Sequence, residues 1–326
     1  MKAEKPVALV NWNGFLNYFP QFAWIPNGIK VITYEDLYVF SYDVIDTLGK
    51  RLLRALGGEN TEPGLLAKLL LKVLYACLTS CARIIAGVRC RRYRRIIFLG
   101  ERIEPSLNRF IRPKAVYYEW DIKEMPTEDR CRQMQKYMDV YTFDPGHAST
   151  YGIKHNPQYY LTPPADLFDR NPPIESDCFF AGYGRWRMPL LTAAAADMCA
   201  MGLRPKFLVA GEENLPPPLE WTPFLHYYDI LRQSLASRSI FDPYRPGQTG
   251  YTLRVMEHMF FSKKLITTNP LVRQADFYNP ANIFVYGEDD ITTLKAWLDI
   301  PFKPVPEEIK DYYTLEMWVE RFGSKR

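Results

Sequence analysis

The feature that most constrains this chain is a recurrence of short apolar runs set between segments of helical spacing. In the first half they are 7–11 (VALVN), 30–34 (KVITY), 95–100 (RIIFLG), 115–120 (AVYYEW) and 139–143 (DVYTF). In the second half they are 178–181 (CFFA), 206–210 (KFLVA), 239–242 (SIFD), 264–267 (KLIT) and 283–286 (IFVY). Such runs are too continuous in their apolarity for strands with one wet face. Separated by helices, they cannot close as hairpins, so they predict parallel sheets covered on both faces. The intervening helices are expected at 43–56, 65–88, 104–110, 128–138, 188–201, 221–237, 250–261, 290–298 and 307–322.

The alternation is interrupted once. Between 157 and 173 stand Pro157, Pro163, Pro164, Pro172 and Pro173. Proline fixes its own φ and restrains the residue before it, so this stretch reads as a stiff, extended connection. With 326 residues the chain is long enough for two domains, placed at 1–160 and 161–326. The expected fold class is α/β, with two Rossmann-like domains facing a cleft.

Composition excludes several alternatives. With 47% hydrophobic and 24% charged residues the chain is neither disordered nor fibrous. Six cysteines with no CxxC pair give neither a disulfide framework nor zinc-ligand spacing. The net charge of 41 − 37 = +4 is too small to imply nucleic acid. The apolar run from Val7 to Val10 is too short for a signal-peptide core and is followed by Asn11 and Asn13. A cytoplasmic location is therefore expected.

The segment 65–95 carries its charge unevenly. Lys68, Lys72, Thr79 and Arg83 fall in one narrow stripe of an otherwise apolar helix, and Arg89, Arg91, Arg92, Arg94 and Arg95 crowd the turn that follows. Three readings fit: a buried helix of the fold with a solvated basic turn, a helix resting on an anionic membrane surface, or, least favoured, a contact with nucleic acid.

Ligands of open α/β sheets collect beyond the carboxyl ends of the strands, where loops enter helix N-termini. At one such junction, 180–187 (FAGYGRWR), Gly182 and Gly184 permit close backbone approach, and Arg185 and Arg187 suit phosphate oxygens. At a second, 242–257 (DPYRPGQTGYTLRVME), a Pro-Gly loop leads into a helix that carries Arg254 and then Glu257. A carboxylate there suits a ribose diol.

These stretches, with 246–269 (PGQTGYTLRVMEHMFFSKKLITTN) and 276–283, resemble the nucleotide-sugar-binding domain of GT-B-fold glycosyltransferases, particularly bacterial enzymes of lipopolysaccharide and capsule assembly. In the first half, 118–121 (YEWD) and 139–152 (DVYTFDPGHASTYG) look like the same group. The resemblance implies donor contacts from Arg185, Gln248, Thr249, Gly250 and Glu257, the last matching the glutamate that holds the donor ribose, and Gly182, Arg187, Thr252 and Arg254 are further donor-site candidates. One departure stands out: many retaining relatives carry a second glutamate eight residues earlier, where this chain has Thr249.

The reaction implied is sugar transfer from a nucleotide-activated donor to a saccharide, lipid-linked or free, at the inner face of the membrane. It needs positive groups to stabilise the leaving phosphate and, for inversion, a base for the acceptor hydroxyl. Asp121, just past the run 115–120, is the first candidate base and His147 the second, while Asn11, Asn13 and Gly14 are candidates for acceptor contact. No Asp-x-Asp occurs in the chain, so metal-independent chemistry with no cofactor beyond the donor itself is expected. A nucleotide-sugar epimerase or hydrolase, and a non-catalytic saccharide-binding protein, are the alternatives.

Overall fold

All ten apolar runs become β-strands, and each pairs in parallel with its neighbours. The computed structural model describes residues 4–11, 25–37, 51, 65–99, 114–119, 128–163, 169, 171–212 and 214–323. Two units result: Met1–Thr142 with His147–His155, and Phe143–Gly146 with Asn156–Arg326.

The first unit contains β1 (Val7–Asn11), β2 (Ile29–Thr33), α1 (Tyr34–Leu37), α2 (Leu65–Cys90), β3 (Arg95–Leu99), β4 (Ala115–Glu119), α3 (Glu128–Gln135), β5 (Asp139–Thr142), α4 (Pro145–Tyr151) and β6 (Lys154–His155). Its sheet runs β2-β1-β3-β4-β5-β6. Side chains alternate across a strand, so Ala8, Val10, Ile96, Phe98, Tyr117 and Val140 share a face. There they pack with Ala86 and Cys90 of α2 and with Cys131 and Met134 of α3.

The second unit contains β7 (Ser176–Tyr183), α5 (Met188–Ala200), β8 (Pro205–Ala210), β9 (Leu219–Trp221), α6 (Tyr227–Leu235), β10 (Ser237–Asp242), α7 (Leu253–Phe261), β11 (Lys264–Thr267), β12 (Ile283–Val285), α8 (Leu294–Asp299), α9 (Glu307–Tyr312) and α10 (Leu315–Glu320). Its sheet order is β12-β11-β10-β7-β8-β9. One face buries Phe180, Phe207, Phe241, Ile266 and Phe284 against Leu191, Ala195 and Met198 of α5 and Trp297 of α8. On the opposite face Leu265, Ile283 and Val285 meet Val255, Met256 and Met259 of α7.

Four helical expectations are corrected. Over 221–237 the chain first forms edge strand β9, and α6 begins only at Tyr227, after Pro223 has removed a backbone donor. Over 250–261 the helix starts at Leu253, because Thr252 is held extended at φ −84°, ψ 171°. Segment 290–298 opens as a short 3₁₀ turn, with Asp290 accepting the Thr292 amide, before α8. Segment 307–322 breaks into α9 and α10 at Thr314, whose hydroxyl caps α10, while Tyr160 donates its amide to Tyr313 O at 2.8 Å beside the break. The helix expected at 104–110 lies outside the described residues, and of 43–56 only residue 51, which is helical, is described.

Candidate functional site

The order of the second sheet fixes where a ligand belongs. From central β7 the chain moves outward through β8 to β9, then returns to the other side of β7 and runs outward through β10, β11 and β12. The reversal falls between β7 and β10, so their carboxyl ends part into a crevice. Those ends are the two junctions singled out in the sequence.

Asp242, the last residue of β10, is 1% exposed. Its carboxylate accepts the Thr252 hydroxyl at 2.9 Å and the Thr267 hydroxyl at 3.0 Å. A buried charge needs such partners, and these tie the start of α7 to the ends of two strands. Because Thr252 directs its hydroxyl to Asp242, it does not cap α7, and the helix N-terminus keeps its amide donors uncapped by that side chain.

The loop before α7 is held from another direction. Asp144, fully buried, accepts the Thr249 amide and hydroxyl at 2.5 Å each and the Gly250 amide at 2.9 Å. Thr249 Oγ1 in turn accepts the Gly146 amide at 2.6 Å. A Cβ on Gly250 would stand 2.6 Å from Phe143 O, so only glycine permits this approach. Gln248 donates to Gly250 O at 2.9 Å. Three residues matched to the donor loop are thus engaged in its internal structure.

The arginines gather on the β7 side. Arg254 reaches back from α7 to donate to Ala181 O at 2.6 Å and lies 4.9 Å from the Phe180 ring centre. A Cβ on Gly182 would fall 3.3 Å from Arg254 Nη2 and 3.1 Å from the Phe180 ring, so the glycine leaves the guanidinium its place. Arg185 takes a left-handed φ of 43°, with its amide on Glu212 Oε1 at 2.9 Å. Its guanidinium sits over the Tyr183 ring at 5.1 Å. Arg187 donates from Nη1 to Tyr183 O at 3.3 Å, but its buried Nε has no hydrogen-bond partner among the described residues. Burial pushes the Arg187 guanidinium down to about 10, the charges of Arg254, Arg245 and Arg185 push the same way, and Asp242 opposes them. Three cations therefore bear on Arg187, beside a buried carboxylate already occupied by two hydroxyls. Such a concentration suits a multiply charged anion.

Glu257, one turn further along α7, is 3% exposed. It accepts the Tyr227 hydroxyl at 2.8 Å, which is itself paired with the Tyr160 hydroxyl at 2.8 Å. Burial raises its carboxyl to about 7, despite the lowering influence of Tyr227 and Arg254.

The first unit's candidates are dispersed. His147 lies half-buried on α4, its ring 5.5 Å from that of Tyr151. Asn11 ends β1, next to that sheet's own point of reversal between β1 and β3. Asp121, Asn13 and Gly14 lie outside the described residues. Glu119, two positions before Asp121, is buried and accepts the Tyr117 hydroxyl at 2.9 Å. Sequence reasoning missed Asp144, Asp242, Thr267 and Tyr227. A signal existed for the two acids, each of which stands at a strand's carboxyl end directly before a proline.

No family model matches the sequence, and no curated protein does. Among solved structures the chain is similar to Anabaena HepE in complex with UDP and glucose, at 10% identity and TM-score 0.51 over 98% of each chain. It is also similar to sucrose-phosphate synthase from Thermosynechococcus elongatus, at 12% identity and TM-score 0.50, again over 98% of each chain. Together with two parallel six-stranded sheets, this likeness establishes a fold of the GT-B type.

Proposed function

We propose that this chain transfers a glycosyl group from a nucleotide-activated sugar to a saccharide hydroxyl. The observation that carries the reading is the gathering of Arg185, Arg187 and Arg254 at the β7–β10 crevice, with Arg187 Nε buried and unpartnered among the described residues. In the reaction the bond from the anomeric carbon to the phosphate oxygen breaks, and a bond to the acceptor oxygen forms. Negative charge accumulates on the leaving nucleoside diphosphate, where fixed guanidiniums stabilise it more in the transition state than in the ground state. In this reading the acceptor proton passes to a base of the first unit, Asp121 or His147, and Glu257 receives the donor ribose. A diphosphate held by guanidiniums leaves a metal ion no necessary role.

The acceptor we assign is a lipid-linked saccharide of bacterial surface-polysaccharide assembly. The blocks at 118–121 and 139–152, which look like those of such enzymes, support it. HepE was solved with UDP and glucose, which makes UDP the first donor nucleotide to test. Thermal unfolding with UDP, GDP, ADP, CMP and dTDP tests the reading, and stabilisation by one nucleotide is expected. A flat response to all of them overturns it. Product analysis with and without a saccharide acceptor then separates transfer from epimerisation or hydrolysis, since only transfer requires the acceptor.

A further inference from the structure

Helix α2 exposes the wrong face for a protein that meets only water. Leu69 is 60% exposed, and Val73, Ile84 and Val88 are each 57% exposed. Cys77 and Cys81 are exposed as well. At about 100° per residue, Leu69, Val73, Cys77, Ser80, Ile84 and Val88 fall within an arc of about 100°, with Cys81 at its border. From Leu69 to Val88 the stripe is about 28 Å long at 1.5 Å per residue. Ser80 donates its hydroxyl to Ala76 O at 2.7 Å, so it presents little free polarity. Elsewhere on the helix, Ala86 and Cys90 are buried in the first core, and Arg89 donates to Asp36 O at 2.8 Å. The helix is thereby fixed to the sheet with the stripe facing outward.

Along the helix and the turn after it the charge has one sign. The helix contains Lys68, Lys72, Arg83 and Arg89 and no acidic residue, and Lys72 is exposed at the stripe's margin. Arg91 and Arg92, both exposed, follow in the turn after α2. A second copy docked through this face would set these cations against their own kind with no acid on the helix to answer them. A surface of acyl chains beneath anionic headgroups answers both features at once. Among the described residues no helix is long and apolar enough to cross a membrane, so the fitting geometry is a helix lying in the interface.

We propose that α2 docks the protein on an anionic lipid surface, with Leu69, Val73, Ile84 and Val88 entering the acyl boundary and Lys72, Arg91 and Arg92 meeting the headgroups. The surface belongs to the first unit and the donor crevice to the second, and the test does not depend on nucleotide binding.

The test uses the full chain with vesicles of phosphatidylcholine containing about one-third phosphatidylglycerol, against vesicles of phosphatidylcholine alone. Flotation with the anionic vesicles is expected, weakened by high salt. Replacing Leu69, Val73, Ile84 and Val88 together by serine should lower partitioning at least about tenfold. The unmodified chain gives a second readout through its own thiols. Maleimide labelling of Cys77 and Cys81 should slow at least about fivefold on the anionic vesicles, while exposed Cys199 on α5 keeps its rate. Equal labelling with and without vesicles, thiols unreactive in their absence, or a stable dimer that V73E dissociates, would each overturn the proposal.

Discussion

The Asp144 carboxylate grips Thr249 twice, through its amide and its hydroxyl at 2.5 Å each, and takes the Gly250 amide with its remaining capacity. A carboxylate on consecutive backbone amides is the arrangement by which loops bind phosphate. In this chain the anion is supplied from within, so the loop is shaped before any ligand arrives. The Thr249 and Gly250 amides are thereby taken by Asp144, and in the proposed function an external anion meets the guanidiniums of Arg254, Arg187 and Arg185 instead.

Asp144→Ala removes a fully buried acceptor and strands three donors. At about 1–3 kcal/mol for a buried unsatisfied polar group, and with partial relaxation, a loss of about 3 kcal/mol in unfolding free energy is expected. Urea denaturation measures it. Thr249→Val, which keeps the amide and loses the hydroxyl, should fall between wild type and Asp144→Ala.

Arg187→Gln separates binding from stability. Arg187 stands among like charges and leaves Nε without a partner among the described residues, so its loss should not lower the unfolding midpoint. The affinity for a nucleoside diphosphate should drop at least about tenfold, since a charge-assisted contact to phosphate is lost. Affinity for the bare nucleoside should stay the same. Titration calorimetry with both ligands reads the contrast, and equal losses would place Arg187 away from the phosphates.

Gly182→Ala tests whether the glycine makes room for Arg254. The new methyl meets Arg254 Nη2 at 3.3 Å and the Phe180 ring at 3.1 Å, tight enough that one of them must shift. A destabilisation of about 1 kcal/mol is expected from overpacking, together with weaker diphosphate binding. Wild-type affinity in a destabilised variant would restrict the glycine's role to packing.

Glu257 and His258 should give opposite pH dependences from neighbouring positions. Burial raises the Glu257 carboxyl from 4.5 to about 7, so the folded state binds the extra proton and stability falls as pH rises across that window. Burial lowers the His258 imidazole from 6.5 to about 4, so stability is lost as pH falls from 6.5 towards 4. Each amounts to about 3 kcal/mol at about 1.4 kcal/mol per unit. Between pH 4.5 and 6.5 the two slopes largely cancel. Glu257→Gln should uncover the histidine slope, with stability rising through that range in urea titrations. An unchanged pH profile in this variant would show that Glu257 is ionised throughout.

The strands were legible because buried parallel strands write their burial directly into sequence. After Arg95, RIIFL and AVYYE have no charged position until Glu119, which is itself buried with Tyr117 as donor. Helix starts were less legible, since tertiary partners decide them. Gly250 lies in a bend and Thr252 is extended, held by Asp144 and Asp242 rather than by the helix that follows. The arginines at 185, 187 and 254 were marked by their glycine-rich and post-strand positions. Glu257 was marked too, but its pairing with Tyr227 was not, because thirty residues and no pattern separate them. Nothing in the alternation of helix 65–88 told which of its apolar sides would be left outside. That depended on where Arg89, Ala86 and Cys90 meet the first unit.

The tetrapeptide Phe143–Gly146 belongs to the second unit although its flanking residues on both sides belong to the first. The second unit is therefore not a contiguous module. A hybrid that exchanges only residues 156–326 with another chain of this fold would import the Thr249–Gly250 loop without the aspartate that shapes it. Recombination between such chains conserves the site only when the crossover also carries Asp144, or when the recipient already has an acid at that place. Asp144 and the loop it holds thus form one structural unit, joined by geometry across 105 residues of sequence.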